Sequence, residues 1–340
     1  MSLHLLDKLN LLSKLTPRRS FNAFKIWSSY HLSKFTKTNL HSGMPVSISI
    51  EPTTSCNLRC PECPSGLRSF NRPTGMLEKD FFRKTIDELS RDVFFLTFYF
   101  QGEPFLNPAF LEMVSYAKEK NIYTSTSTNA HFLDDDVAKK TVESGLDRLI
   151  ISIDGTTQET YQMYRIGGEL NKVLEGTRNI LKWKEKLKSK TPHIIFQFLV
   201  VRPNEHQVDD LMKMATDLGI DDVRFKTAQV YDFKNGNVLI PMNEKYSRYK
   251  KNAHGTYSIK NKLENHCWKM WQSCVITWDG KIVPCCFDKD AAHQLGNLKE
   301  KKFKEVWKSK EYNNFRASVL HTRSSIDICK NCSEGAIVWT

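Results

Sequence analysis

An α/β fold, with a parallel sheet, helices outside it and a small appendage behind it, is what three observations predict. Short β-rich runs alternate six times with helical periodicity from residue 46 onward, and parallel strands need crossovers of that kind. A length of 340 residues exceeds one average core and falls short of three. With 40% hydrophobic residues, 11% aromatic, 15 Gly and 12 Pro, the chain can bury a core, which excludes disordered and collagen-like classes. Periodicity alone leaves open whether the sheet is doubly wound or curled into a partial barrel.

Residues 1–45 read as a basic amphipathic arm. The first fifty residues carry Lys8, Lys14, Arg18, Arg19, Lys25, Lys34 and Lys37 against Asp7 alone, a large share of the overall +12. Phe21, Phe24, Trp27 and Tyr30 recur there at helical spacing. Because amphipathic surface helices are ordinary, the expectation is that the apolar face covers one end of the main domain while the lysines are solvated. A peripheral contact with an anionic membrane, or with an acidic partner, is the alternative. Nucleic acid is not expected, since basicity alone is unspecific and no base-reading motif accompanies it. No export signal or spanning apolar run is recognisable, which points to a reducing cytoplasm.

The core, residues 46–235, follows. Its predicted strands are 46–51, 93–100, 122–128, 148–153, 193–200 and 222–227. Helices are expected over 78–89, after Pro108, which suits a first turn, and after Asp134, Asp135 and Asp136, which suit a helix N-terminus. Two more run over about 170–187, with Val173, Leu174, Thr177, Ile180 and Leu181 on one face, and from Val208 to Leu218, closed by Gly219. Polar, loop-rich sequence over 236–259 reads as a linker. Within 260–340, Val275 to Val283 form a hairpin turning at Asp279-Gly280, and a Lys-rich helix is expected over 298–315. That segment is too small for a generous core, so a metal staple suits it.

Nine cysteines fall in two clusters, Cys56, Cys60, Cys63 and then Cys267, Cys274, Cys285, Cys286, Cys329, Cys332. A disulfide scaffold would be smaller and secreted, whereas clustered thiols in an intracellular chain bind metal. Cys56-x3-Cys60-x2-Cys63 follows the first strand, where an α/β sheet presents loops to a ligand. Three thiolates wrap one face of an iron-sulfur cube and leave the fourth iron open. Zinc would want a fourth ligand, and the nearest His in sequence are His41 and His131.

This motif resembles the signature of the radical S-adenosylmethionine (SAM) superfamily. The resemblance implies a partial (β/α)6 TIM-like barrel in which Cys56, Cys60 and Cys63 hold a [4Fe-4S] cluster whose unique iron is chelated by SAM. It implies reductive cleavage of SAM to a 5′-deoxyadenosyl radical that abstracts hydrogen from substrate, with an electron donor such as flavodoxin or ferredoxin. Gln101-Gly102-Glu103-Pro104 resembles the family's Gly-Glu motif, which meets the SAM amino group largely through backbone oxygen. Thr128 and Asn129 end the third strand. Ser152 and Asp154 resemble positions that meet SAM's carboxylate or ribose, and Arg165 resembles a basic residue that often follows. Glu62 departs from the pattern, since many relatives place an aromatic residue there. All these positions stand at carboxyl ends of successive strands.

Cys267, then Gly280-x4-Cys285, then Cys329-x2-Cys332 resembles the auxiliary-cluster domain called SPASM or, when shortened, twitch. The spacing is similar to the twitch form, with Cys267, Cys285, Cys329 and Cys332 around a single auxiliary [4Fe-4S] cluster. Cys274 could replace Cys267, and Cys286 could replace Cys285. A structural zinc is the competing reading of four thiolates. Full ligation leaves no open iron, so an electron-transfer role suits the cluster, and with it dehydrogenation or oxidative cross-linking. A proton must leave with that electron, and Lys226, Tyr231 and Asp232, after the sixth strand, are base candidates by position.

The expected function is therefore a radical SAM oxidoreductase acting on a small polyol, sugar or peptide. The short N-terminal segment tilts the expectation toward the small molecule, and a membrane-facing arm would suit a lipid-linked one. The reading from another class is a non-catalytic metal-stabilised binding module docking on an acidic or membrane surface.

Overall fold

The computed structural model of the protein describes residues 3–332; the expected final segment extends beyond these to residue 340, outside the described residues. Two helices open the chain, α1 (Leu3–Leu12) and α2 (Pro17–Thr36). Thr16 caps α2 by accepting from the Arg19 N–H, and Pro17 fills its first turn. The core then alternates: β1 (Ser47–Ile50), α3 (Pro64–Leu67), α4 (Lys79–Leu89), β2 (Phe95–Phe98), α5 (Phe110–Glu119), β3 (Tyr123–Thr128), α6 (Asp135–Glu143), β4 (Arg148–Ser152). It continues with α7 (Gln158–Tyr164), α8 (Leu170–Lys186), β5 (His193–Val200), α9 (Val208–Leu218) and β6 (Asp222–Thr227). Next come a small hairpin, β7 (Tyr249–Lys251) and β8 (Tyr257–Ile259), then α10 (Trp268–Gln272), β9 (Ser273–Ile276), β10 (Lys281–Val283) and β11 (Gly296–Asn297). Helices α11 (Phe303–Trp307) and α12 (Lys310–Thr322) precede Cys329.

Strands β1 to β6 pair in sequence order and in parallel, giving the core of a partial (β/α)6 barrel. Alternation sends Ile48, Ile50, Leu96, Phe98, Leu149, Ile151, Phe196 and Phe198 into one core with the helices. The opposite parity sets Ser49 beside Thr97 and Thr97 beside Ser125 toward the carboxyl ends of these strands. Asp134 caps α6 through the Val137 N–H, and Gly219 ends α9 in the left-handed conformation, as their positions predict.

The C-terminal hairpin also extends the core sheet. Strand β9 runs parallel to β1 along its whole length, Ser47 opposite Ser273 and Ile50 opposite Ile276, so the core sheet has nine strands. A buried ion pair closes the same seam. Arg72 grips both oxygens of Glu51 at 2.5 and 2.8 Å and donates to the Lys289 carbonyl, while the Trp278 N–H reaches Glu51. Burial pushes the Glu51 carboxyl up, and Arg72 draws it back.

Two expectations need correction. The helix over 298–315 is two helices, because Ser309 caps a new one through the Tyr312 N–H and α12 then runs on to Thr322. Helix α2 does cover the end of the domain, but not with its aromatic face. Arg19, Asn22, Ile26, Ser29, Tyr30 and Ser33 are buried, and Phe21, Phe24 and Trp27 stay exposed. Polar anchors decide that rotation: Arg19 donates to the carbonyls of Lys14, Ser90, Lys120 and Asn121.

Arg72→Met strands a buried carboxylate and should cost roughly 3–5 kcal/mol in denaturant unfolding. Glu51→Leu with Arg72→Met should recover most of that loss; a double variant as unstable as the single one would refute the pair as the source.

Candidate functional site

The first cysteine loop leaves the carboxyl end of β1 and is held from four sides. Its floor is apolar, with Leu58 and Cys60 packed among Tyr164, Val201, Ala228 and Val230. Helix α3 lies flush on it, and a Cβ at Gly66 would stand 2.5 Å from the backbone of Cys60. The Arg59 N–H donates to the Ile166 carbonyl just after α7.

Each thiol meets a polar side chain from a different strand end. The Arg165 guanidinium, past β4, lies 3.7 Å from Cys60 Sγ, the Asn129 amide, past β3, lies 4.0 Å from Cys56 Sγ, and Cys63 Sγ lies 3.9 Å from Gln101 Oε1, past β2. Burial pushes the Cys56 thiol up to about 12 and also raises Cys60, against the pull of Arg165. Thiolates at these positions therefore need a metal to hold them ionised. Three converging sulfurs with donors aimed at two of them fit an iron-sulfur cluster with one iron unligated by protein.

The supporting residues divide by role. Gly102 has φ +74°, its N–H donates to Ser65 Oγ at 2.8 Å, and a Cβ there would sit 2.2 Å from the Thr53 carbonyl. Only glycine fits that approach. The Glu103 carboxylate accepts from the Thr128 hydroxyl at 2.7 Å and the Asn129 N–H at 2.8 Å, and burial lifts its pKa to about 7. Its side chain thus shapes the Asn129 turn, while the Gly102 and Glu103 N–H groups are held by Ser65 Oγ and the Ser55 carbonyl. Asp154 accepts from the Leu199 N–H at 2.6 Å and from Arg165 Nε at 2.5 Å, so it orients the arginine that faces Cys60. Burial raises it, and Arg165 opposes the rise. Ser152 Oγ stands 3.4 Å from Ser127 Oγ on the barrel's inner parity.

The three base candidates separate. All three are exposed, and they differ in how they are anchored. Tyr231 is fixed at both ends: its N–H donates to Glu62 beside Cys63, and its hydroxyl accepts from Lys289 of the C-terminal segment at 2.7 Å. Burial pushes Glu62 up, partly offset by that N–H. Sequence reasoning passed over Ser65 and Lys289 altogether and quoted Gln101 only inside its motif. Spacing marks strand ends, but side-chain partners across loops leave no local signal.

In the C-terminal segment, Cys267, Cys285, Cys329 and Cys332 line one apolar cavity with Met270, Phe287, Phe315 and Val319. Arg323 reaches Cys332 Sγ at 3.5 Å and the His266 carbonyl at 2.6 Å. Burial raises Cys329 to about 11 and raises Cys285 as well. Cys274 lies instead within β9 opposite Ile48, fully buried, and Cys286 is exposed, 4.0 Å from Lys269. Among the described residues no three His, Cys, Asp or Glu side chains gather tightly enough for a single metal ion. The four thiols line one apolar space, which fits an iron-sulfur cluster.

Two family models match the chain: "Radical SAM superfamily" over residues 50–215 and "Iron-sulfur cluster-binding domain" (SPASM) over residues 267–333. The tungsten-containing aldehyde ferredoxin oxidoreductase cofactor-modifying protein of Pyrococcus furiosus is 28% identical over 299 residues, 78% of this chain and 82% of that protein. PqqA peptide cyclase of Bradyrhizobium diazoefficiens is 24% identical over 333 residues, 88% of this chain and 82% of that protein. Among solved structures, anSMEcpe with bound AdoMet is similar with a TM-score of 0.63 at 18% identity, covering 85% of both chains.

After anaerobic reconstitution the wild type should carry roughly eight irons per chain. Cys329→Ala should lose about half of them, while Cys274→Ala and Cys286→Ala keep all; iron loss in either of the last two would redraw the auxiliary ligand set.

Proposed function

The chain is a radical SAM protein with a C-terminal SPASM domain, binding SAM and iron-sulfur clusters, and we propose that it oxidises a peptide substrate by hydrogen abstraction followed by loss of a second electron. When bound, the [4Fe-4S] cluster and SAM supply reductive hydrogen-atom abstraction. Cys56, Cys60 and Cys63 hold that cluster. Arg165, oriented by Asp154, and Asn129, fixed by Glu103, donate toward its sulfur ligands and stabilise their charge. Gly102 and Glu103, with Thr128 and Ser152, would line the side of the mouth that takes SAM. Keeping Glu103 and Asp154 occupied with internal partners spares SAM's carboxylate a repulsive neighbour.

The observation that carries the oxidative reading is the convergence of Cys267, Cys285, Cys329 and Cys332 on one cavity. Four protein thiolates close an auxiliary [4Fe-4S] cluster to substrate, which leaves electron uptake as its chemistry. Tyr231 is the best placed of the base candidates, since Glu62 and Lys289 fix it between the cysteine loop and the auxiliary segment. Similarity to PqqA peptide cyclase along most of both chains supports a peptide over a small polyol. A flavodoxin- or ferredoxin-like donor in a reducing compartment would supply the first electron.

The test is an anaerobic assay with dithionite and SAM. Wild type should release 5′-deoxyadenosine, Cys60→Ala none, and Arg165→Gln about 10- to 100-fold less. Cys329→Ala should still cleave SAM yet fail to deliver oxidised peptide. A fully iron-loaded wild type that never cleaves SAM would sink the enzymatic reading; oxidised product from Cys329→Ala would sink the electron-acceptor role.

A further inference from the structure

The arm holds a surface that the reaction does not use. Ten of the 21 exposed large apolar residues among those described fall within the first 40 residues. Helix α1 and the turn after it expose Leu5, Leu9, Leu12 and Leu15. Helix α2 exposes Phe21 and Phe24 at 59%, Trp27 at 52%, Leu32 at 51% and Phe35 at 86%. On the 3.6-residue repeat these α2 positions lie opposite the buried stripe of Asn22, Ile26, Ser29 and Ser33. The outward face of this helix is its apolar one, the reverse of an ordinary surface helix.

Rotation of the arm is fixed by buried polar contacts. Asp7 joins Tyr123 and Arg148, Asn10 donates to Asp147 at 2.8 Å, and Lys14 pairs with Asp147 at 3.7 Å. Asn22 exchanges hydrogen bonds with the backbone of Met44 in both directions at 2.8 Å. Turning the aromatic stripe inward would break all of these and bury unpaired charge. The stripe is bordered by cations: Lys25 stands 4.5 Å over the Phe21 ring, Arg18, paired with Asp92 at 3.1 Å, is exposed on the same side, and Lys34 lies on the other. Lys8 and Lys37 are exposed beside the leucines and past the helix end.

We propose that α2 seats the protein on an anionic phospholipid surface, its Phe21, Phe24, Trp27, Leu32 and Phe35 stripe entering the boundary between headgroups and acyl chains. Aromatic and aliphatic side chains flanked by Lys and Arg match that boundary in both hydrophobicity and charge. A second copy of the chain matches only the first, since it would set one basic arm against another. No helix among those described is long and apolar enough to span a bilayer, so the contact is interfacial. The arm's anchors, Ser90, Asn121 and Asp147, all precede strands β2 to β4, whereas the cysteine loop follows β1. A lipid surface at the arm therefore faces the amino ends of the barrel strands and leaves the cysteine mouth to water. That orientation admits a substrate from the aqueous side and does not suit delivery of a lipid-linked one.

Vesicle flotation of the reconstituted full chain tests this, with phosphatidylcholine vesicles lacking or containing phosphatidylglycerol. Binding should require phosphatidylglycerol and weaken at high salt. Phe21→Ser, Phe24→Ser and Phe35→Ser combined should reduce partitioning about tenfold or more. Lys8→Glu, Lys25→Glu and Lys37→Glu combined should abolish the phosphatidylglycerol requirement together with the binding. Both variants should keep the wild-type melting temperature and iron content, showing that the fold is intact. Wild type that does not float overturns the proposal. If it then sediments as a dimer that the triple serine variant dissolves, the stripe belongs to a second copy; if it sediments as a monomer, an acidic protein is left as the partner. Flotation that the serine variant retains overturns it equally.

Discussion

Strand β1 is four residues long and hydrogen-bonded along both edges, to β2 on one side and to β9 on the other. That double pairing is the constraint from which the rest follows. One edge belongs to the barrel and the other to the auxiliary hairpin, so one short strand sets the position of both cysteine clusters. The first cluster leaves its carboxyl end, and the second is carried by the hairpin that β9 begins. The Glu51–Arg72 pair locks the junction where β1 ends. A buried pair of this kind adds little net stability beyond an apolar substitute, but it tolerates one geometry only. That intolerance fixes the spacing between the two cysteine clusters.

At the cysteine mouth, the buried carboxylates hold their neighbours in place. Glu103 and Asp154 each have their oxygens engaged by backbone N–H groups and a side chain. Their effect is transmitted to Asn129 and Arg165, which face sulfur. The outcome is a loop whose three thiols are each approached from a separate strand end, an arrangement that depends on sheet order more than on any one residue.

Local chemistry made several elements legible. Strands β5 and β6 and helix α9 have the bounds that periodicity and the Gly219 cap predict. Asp134 marks the start of α6 because a short acidic side chain satisfies an orphan N–H. Helix α7, seven residues long, is too short to show a helical period, and Ser309 splits what reads as one Lys-rich helix. The amphipathic pattern of α2 was visible, but not which way it faces. That choice belongs to Arg19 and Asn22, whose partners lie on distant loops.

The sequence by itself determined the alternation of strand and helix, the three-cysteine loop and the pool of six later cysteines, because each is written in short-range spacing. Only the tertiary structure decided that Cys274 is a sheet residue and Cys285 a cavity residue, that Asp154 serves Arg165, and that the aromatic stripe of the arm faces outward. Those are questions of which distant backbone or side chain satisfies a buried polar group. Spacing along the chain does not encode the answer; the closing of the sheet around β1 does.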